Sequence, residues 1–353
     1  MGNRHHYVPK LLLRAFQCAP KRIHLYNLKR GVLIRDASLR DQCYSHQRYG
    51  ADGATEDALA DLEGLAAGAL RKVEQEARVP PENSEDYGAI LAFIAVQKLR
   101  TIEAQSNARR MFAALGGAMF DTGPPPNWAL ESRELMRMLL SVLPEQRRAM
   151  TGLKLALVQA VAPSAFILSD NPVFQYNSYC EGISYTGVTG TKVRGYQLFL
   201  PISPSSQLIL YDPAVYRVGN RKSSDRIPAT PADVAELNRL QVCSAHENVY
   251  FNEEWIAERI PAALASVRKP RERSKPRANV AASDSVRNEE LLHLYWPMPN
   301  LGLRLSFLSV TRNARKVPLL ERSHRFRGPP SGPDLTDEST RTPTRFTVRR
   351  TVE

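Results

Sequence analysis

The sequence lacks the signatures that announce a common enzyme class. It has no P-loop, no GxGxxG after a strand, no HExxH and no GxSxG elbow. Readings as an ATP-driven, dinucleotide-dependent, zincin or serine-hydrolase enzyme therefore find no anchor. The small-residue loop Gly187-Val188-Thr189-Gly190 is not followed by a helix pattern whose N-terminus could receive a phosphate. The four cysteines (Cys18, Cys43, Cys180, Cys243) contain no CxxC pair, and no secretory signal is visible. Reduced thiols and a cytoplasmic location are the expectation. No apolar run approaches the roughly 20 residues of a membrane helix, so no membrane partner is expected.

What is present is a chain of 353 residues with a net charge of +12, and that charge is unevenly placed. Residues 268–353 hold 18 Lys/Arg against 9 Asp/Glu, which leaves only +3 for the rest of the chain. A global charge argument for nucleic-acid binding would misplace the basicity, which belongs to the tail.

The hydrophobic pattern divides the chain. Ile23–Tyr26 and Val32–Ile34 flank a turn and read as a hairpin. Leu59, Leu62, Ala66, Leu70 and Val73 make one stripe of a helix over about 55–77. Ser84 and two acidic residues then open a second long helix, predicted to run to about Leu115. A helix pair follows over 130–150. From residue 153 the pattern turns to strands (153–161, 165–168, 196–201, 207–211), a helix from Pro231 to about Ala245, and a closing strand at 248–251. Helices first and strands later predict an α+β fold, a helical N-terminal half on a mostly antiparallel sheet. The expected organisation is one unit over 1–267, a disordered basic linker over 268–288, a docked strand or extension over 289–311, and a basic tail of little order over 312–353.

The N-terminal stretch His5-His6-Tyr7-Val8-Pro9-Lys10-Leu11-Leu12-Leu13-Arg14-Ala15-Phe16 is an unusual opening. Pro9 favours an extended conformation at Val8 and can itself open a helix, so an extended HHYV segment should lead into a short buried helix. This stretch resembles the opening of the bacterial domain-of-unknown-function family 4238. Ile167-Leu168-Ser169-Asp170-Asn171-Pro172-Val173, Leu200-Pro201-Ile202-Ser203-Pro204, and Asp233 through Phe251 with Leu237-Asn238 inside it look like the same family. The resemblance spans about residues 3–255. It brings no activity with it, so function must be read from the residues.

Gln97 projects into the middle of the second helix's apolar stripe and Arg100 lies at its edge. A buried primary amide without partners costs about 1–3 kcal/mol, so something polar should wait opposite. Asp170, flanked by Ser169 and Asn171, sits at a strand end, where side chains enter clefts; an Asx turn is the simpler alternative. His5, His6, Arg14, Gln97, Arg100 and Asp170 are thus the candidate catalytic set, with Tyr7, Ser169 and Asn171 as substrate-binding candidates. Glu56 and Glu63 are seven apart on the rim of the first long helix and could ligate a metal with Asp170 and a histidine; Mg²⁺, Mn²⁺ or Zn²⁺ suit such O and N ligands. Solvated rim charges are the plainer reading of that pair. Cys43-x-x-His46 and Cys243-x-x-His246 could together make a zinc site, though 200 residues separate them and coincidence is the simpler explanation.

Histidine, carboxylate and arginine at one site are the minimal kit for phosphodiester cleavage. The expectation is therefore a phosphodiesterase or nuclease-like hydrolase, an activity that suits a toxin or phage-defence effector. The alternative is a non-catalytic binding module, in which the same residues hold the HHYVP arm and the basic tail contacts nucleic acid.

Overall fold

In the computed structural model, the described residues are 4–46, 54–119, 131–181, 190–219, 226–282, 290–295 and 297–316. Most of the Gly187–Gly190 loop and the tail beyond Lys316 lie outside them.

The N-terminal half runs β1 (Arg4–His6), α1 (Lys10–Ala15), β2 (Arg22–Asn27), β3 (Val32–Ser38), β4 (Tyr44–His46), α2 (Ala54–Glu76), α3 (Glu85–Leu99), α4 (Ile102–Met119), α5 (Ser132–Ser141) and α6 (Leu143–Met150). Strands then dominate: β5 (Lys154–Ala160), β6 (Leu168–Ser169), β7 (Phe174–Tyr176), β8 (Gln197–Pro201), β9 (Ser206–Tyr211), β10 (Tyr216–Val218) and β11 (Ile227–Ala229). The chain continues through α7 (Pro231–Ser244), β12 (Asn248–Phe251), α8 (Ile260–Arg273), β13 (Arg277–Ala282), β14 (Glu290–Tyr295), β15 (Leu308–Val310) and α9 (Arg312–Arg315). The fold is α+β.

The larger sheet has the order β11-β5-β9-β8-β7, and all its pairs are antiparallel except β11 with β5. Alternation along its strands decides what packs where. Leu155, Leu157, Leu198, Leu200, Leu208 and Leu210 meet the helical half through Ala66, Leu70, Ile90, Phe93 and Ile94. Ala156, Val158, Phe199 and Ile209 meet Val234, Leu237 and Leu240 of α7 on the other side. Each Leu or Phe removed from water here contributes roughly 1.5–3 kcal/mol. The smaller sheet, β3-β2-β12-β6, joins the N-terminal hairpin to the turn after β6.

The predicted second helix is in fact two. α3 starts where Ser84 accepts a hydrogen bond from the Tyr87 N–H at 3.2 Å, as expected, but it ends at Leu99 with Arg100 as its cap. Thr101 then restarts the chain as α4 by accepting from the Ala104 N–H at 3.2 Å. A threonine inside an apolar helical pattern can act as an N-cap, because its hydroxyl competes for backbone donors.

The linker expectation is also corrected. Residues 268–273 complete α8, anchored by buried Ile260 and Val267, and Arg271 donates to the Ala245 and His246 carbonyls (3.1 Å for the latter). Further on, Leu301, Leu303, Leu305 and Phe307 are buried in the α7-side core. Ser306 donates both its N–H and its hydroxyl to Asp233 at 2.6 Å. β15 pairs with β10, and a short α9 stands where little order was expected over 312–316.

Candidate functional site

The N-terminal arm folds back as β1, which pairs with β4. Tyr7 continues the pairing by donating its N–H to the Cys43 carbonyl at 2.9 Å. This places the Tyr7 carbonyl against α3, where the Gln97 amide donates to it at 2.9 Å. Gln97 Oε1 in turn accepts from Arg100 Nε at 2.8 Å, and Arg100 Nη1 reaches Glu63 Oε1 at 2.7 Å. Gln97 and Arg100 are essentially fully buried. The polar partner demanded by the buried amide is thus the arm itself. The break after α3 lets Arg100 turn back onto the helix that precedes it.

The remaining predicted residues divide. His5 is buried and its Nε2 lies 2.9 Å from Glu56 Oε2. His6 is half-buried, with its ring tilted against Tyr44 at 6.2 Å between centroids. Arg14 is exposed, a correction to its placement in a shared pocket. Leu12, Leu13 and Phe16 take the inward positions of the α1 segment and leave Arg14 facing water. Glu56 and Glu63 are likewise split between His5 and Arg100. Among the described residues, neither belongs to a group of three metal-capable side chains.

Asp170 is buried, and both of its oxygens are occupied. Oδ1 accepts from the His246 N–H at 2.6 Å, and Oδ2 from the N–H groups of Glu247 (2.8 Å) and Asn248 (2.9 Å). Burial pushes its carboxyl up, while the three backbone donors and His246 pull the other way. In this geometry the Asp170 carboxylate is taken up by backbone donors and shapes the turn between α7 and β12. Its neighbours do similar work. Ser169 donates its hydroxyl to Gln241 Oε1 at 2.8 Å, and Asn171 donates to the Ser244 hydroxyl at 2.9 Å and accepts from Thr101 at 2.7 Å. Asn238 accepts from the Ile167 N–H at 3.0 Å and donates to the Ala165 carbonyl at 2.9 Å. The Ile167–Val173 and Asp233–Phe251 motifs are therefore two halves of one clamp.

That clamp presents a pair the sequence reading did not foresee. His246 Nδ1 lies 2.7 Å from Glu103 Oε2, and the two side chains are 21% and 18% exposed. Glu103 Oε1 also accepts from Arg110 Nη1 at 3.1 Å. Burial alone would raise the Glu103 carboxyl, but the His246 imidazole and the Arg110 guanidinium outweigh it and hold it below the ordinary glutamate value. The pair stayed hidden because Glu103 occupies the first turn of a helix whose start was not visible. His246 had drawn notice only through its spacing from Cys243. Among the described residues, neither Cys-x-x-His pair belongs to a group of three metal-capable side chains. Cys43 is buried and donates to the Tyr250 hydroxyl at 3.2 Å, and burial pushes the Cys243 thiol up to about 12.

A family model described as "Protein of unknown function (DUF4238)" matches residues 4–254. This chain belongs to that family. No curated protein and no solved structure matches it. The match ends shortly after β12, so it takes in the arm, the split helix and the clamp that carries His246, and stops short of α8 and the 301–307 strip. In the described residues no helix is long and apolar enough to cross a membrane.

Proposed function

We propose that this protein is a hydrolase of the phosphodiesterase or nuclease-like class, with His246 as the proton-transferring group. The carrying observation is the 2.7 Å contact between His246 Nδ1 and Glu103 Oε2 on a half-open surface. A carboxylate that receives Nδ1–H fixes the neutral tautomer and leaves the lone pair on Nε2, the arrangement a general base needs. Nε2 would take the proton of an attacking water or hydroxyl and return it to the leaving oxygen. Arg110 beside Glu103 and Arg271 on the carbonyls of Ala245 and His246 supply the positive surroundings that favour a phosphodiester substrate. In this reading Asp170 serves by fixing the backbone of His246.

The test is cleavage of single-stranded RNA, duplex DNA and a chromogenic phosphodiester by the full chain. His246→Gln should lower the rate by about 10²–10⁴-fold, far more than its loss of folded protein accounts for. Glu103→Gln should lower it less. No cleavage of any of the three substrates, or full activity in His246→Gln, would sink the reading.

A second reading, a binding module without catalysis, is favoured by the dry pairing of Tyr7, Gln97, Arg100 and Glu63. It expects nucleic-acid binding that weakens steeply with salt and survives His246→Gln.

A further inference from the structure

At the other end of the β2–β12 pair, away from His246, three unlike side chains converge on the hairpin: Cys18, His24 and Asp36. We infer that they form a binding site for a zinc-class divalent cation, with its fourth position open to solvent.

Three features of the local fold bring them together. Cys18 lies just before β2 and is tied to it by its N–H, which donates to the Arg22 carbonyl at 3.0 Å; Lys21, at φ +63°, closes this reversal. The β2–β3 ladder slips at His24: Ile23 faces Ala37 and Leu25 faces Ile34, so Arg35 and Asp36 together oppose one residue. Such a bulge re-aims side chains. Asp36 absorbs it in a left-handed conformation, φ +47°, which aspartate tolerates better than most residues.

The resulting separations suit a small ion. Cys18 Sγ is 3.5 Å and His24 Nδ1 is 4.0 Å from Asp36 Oδ1. All three ligand atoms lie within 4.8 Å of one another. Ligands held at roughly 2.0–2.3 Å from a tetrahedral zinc stand roughly 3.3–3.7 Å apart, so Cys18 and Asp36 already have that spacing and the other pairs close it with a shift of up to roughly 1 Å. The Asp36 side chain is 66% exposed and free to make that shift, while His24 is 12% exposed and packs against Phe251. His24 Nδ1 accepts the Asp36 N–H at 3.2 Å, which shows this nitrogen unprotonated on the cluster side, and that hydrogen bond must give way when the metal takes the lone pair. The neighbouring guanidiniums are engaged with other acceptors, Arg22 with the Asp36 carbonyl and Arg35 with Glu254. A thiolate, an imidazole and one carboxylate favour zinc over magnesium or calcium. On binding, the Cys18 S–H bond breaks, the proton leaves to solvent, and sulfur bonds the metal.

The full chain, stripped with chelator and kept reduced, would be titrated with Co²⁺ and then with competing Zn²⁺. A thiolate-to-cobalt band in the near ultraviolet is expected, lost in Cys18→Ser and displaced by Zn²⁺. His24→Gln and Asp36→Asn should each weaken binding at least about tenfold. Zn²⁺ should also slow alkylation of Cys18 as mapped by mass spectrometry. Absence of the band, its survival in Cys18→Ser, or alkylation of Cys18 that ignores Zn²⁺ would overturn the assignment. Melting curves of each variant guard against a folding artefact, and Cys18 alkylation in the unmutated chain needs no variant at all.

Discussion

Asp170 grips the backbone of His246 rather than its ring: Oδ1 receives the His246 N–H at 2.6 Å, while the imidazole turns to Glu103. Removing the carboxylate takes the acceptor from three backbone N–H groups in a half-buried turn. Asp170→Ala should therefore cost about 1–3 kcal/mol, less than three fully buried unpaired groups would, because water reaches part of the turn. Asp170→Asn, which keeps one acceptor oxygen, should cost less. Chemical denaturation would check both, and an Asp170→Ala protein as stable as the parent would contradict this role.

Arg100 and Gln97 act as one unit. Arg100→Leu leaves Glu63 and the Gln97 carbonyl oxygen without their cation, and a loss of about 3–5 kcal/mol is expected. Gln97→Leu strands the Tyr7 carbonyl and should loosen the arm, seen as faster amide exchange at Tyr7 and Cys43. Arg14→Ala, on the exposed side of α1, should stay within about 0.5 kcal/mol of the parent.

Much of this architecture is legible from pattern alone. The period-3.6 and period-2 stripes locate most elements, and the buried amide of Gln97 correctly demands a polar partner. Other features are not periodic and so escape. Thr101 interrupts a helix through a single hydroxyl that looks like any other polar residue in the stripe. The charged run after Arg268 reads as linker, because composition cannot show that Val267 is buried and that Arg271 reaches the end of α7. Asp170 draws attention because a buried carboxylate at a strand end is conspicuous. Its partners, however, are backbone groups 76 to 78 positions away, which no local spacing encodes.

The two carboxyls that meet at His246 should respond oppositely to pH. Glu103 is held below its ordinary value, so its contribution is fully present above that value, 4.5, and fades as pH falls from there toward the folded-state value. Glu103→Gln should thus cost about 1–3 kcal/mol at neutral pH, with the gap closing in acid. Asp170 is raised by burial, so its effect on stability declines as pH rises through its folded-state value. Stability measured against pH for each variant would separate the two slopes; a Glu103→Gln gap that widens in acid would contradict the first.

Gly195 is a position that side chains should not enter. Its φ is +82°, and an added Cβ would stand 2.5 Å from Asn177 Oδ1 and 2.8 Å from Tyr179 Cβ. Its N–H also donates to Asp212 at 2.9 Å. Gly195→Ala should destabilise the protein by about 1–3 kcal/mol from the backbone conformation alone, and more from the clash. A melting temperature equal to the parent's would contradict that geometry.

The apolar strip from Leu301 to Phe307 has a practical consequence for any shortened version of this protein. A fragment ended at residue 254, where the family match stops, or at 267, ahead of the basic stretch, would uncover one side of the α7 layer and invite clumping. Poor behaviour of such a fragment would say nothing about whether the cationic segment touches nucleic acid. Comparisons of that kind need proteins that keep everything through Lys316, with only the charges beyond it removed.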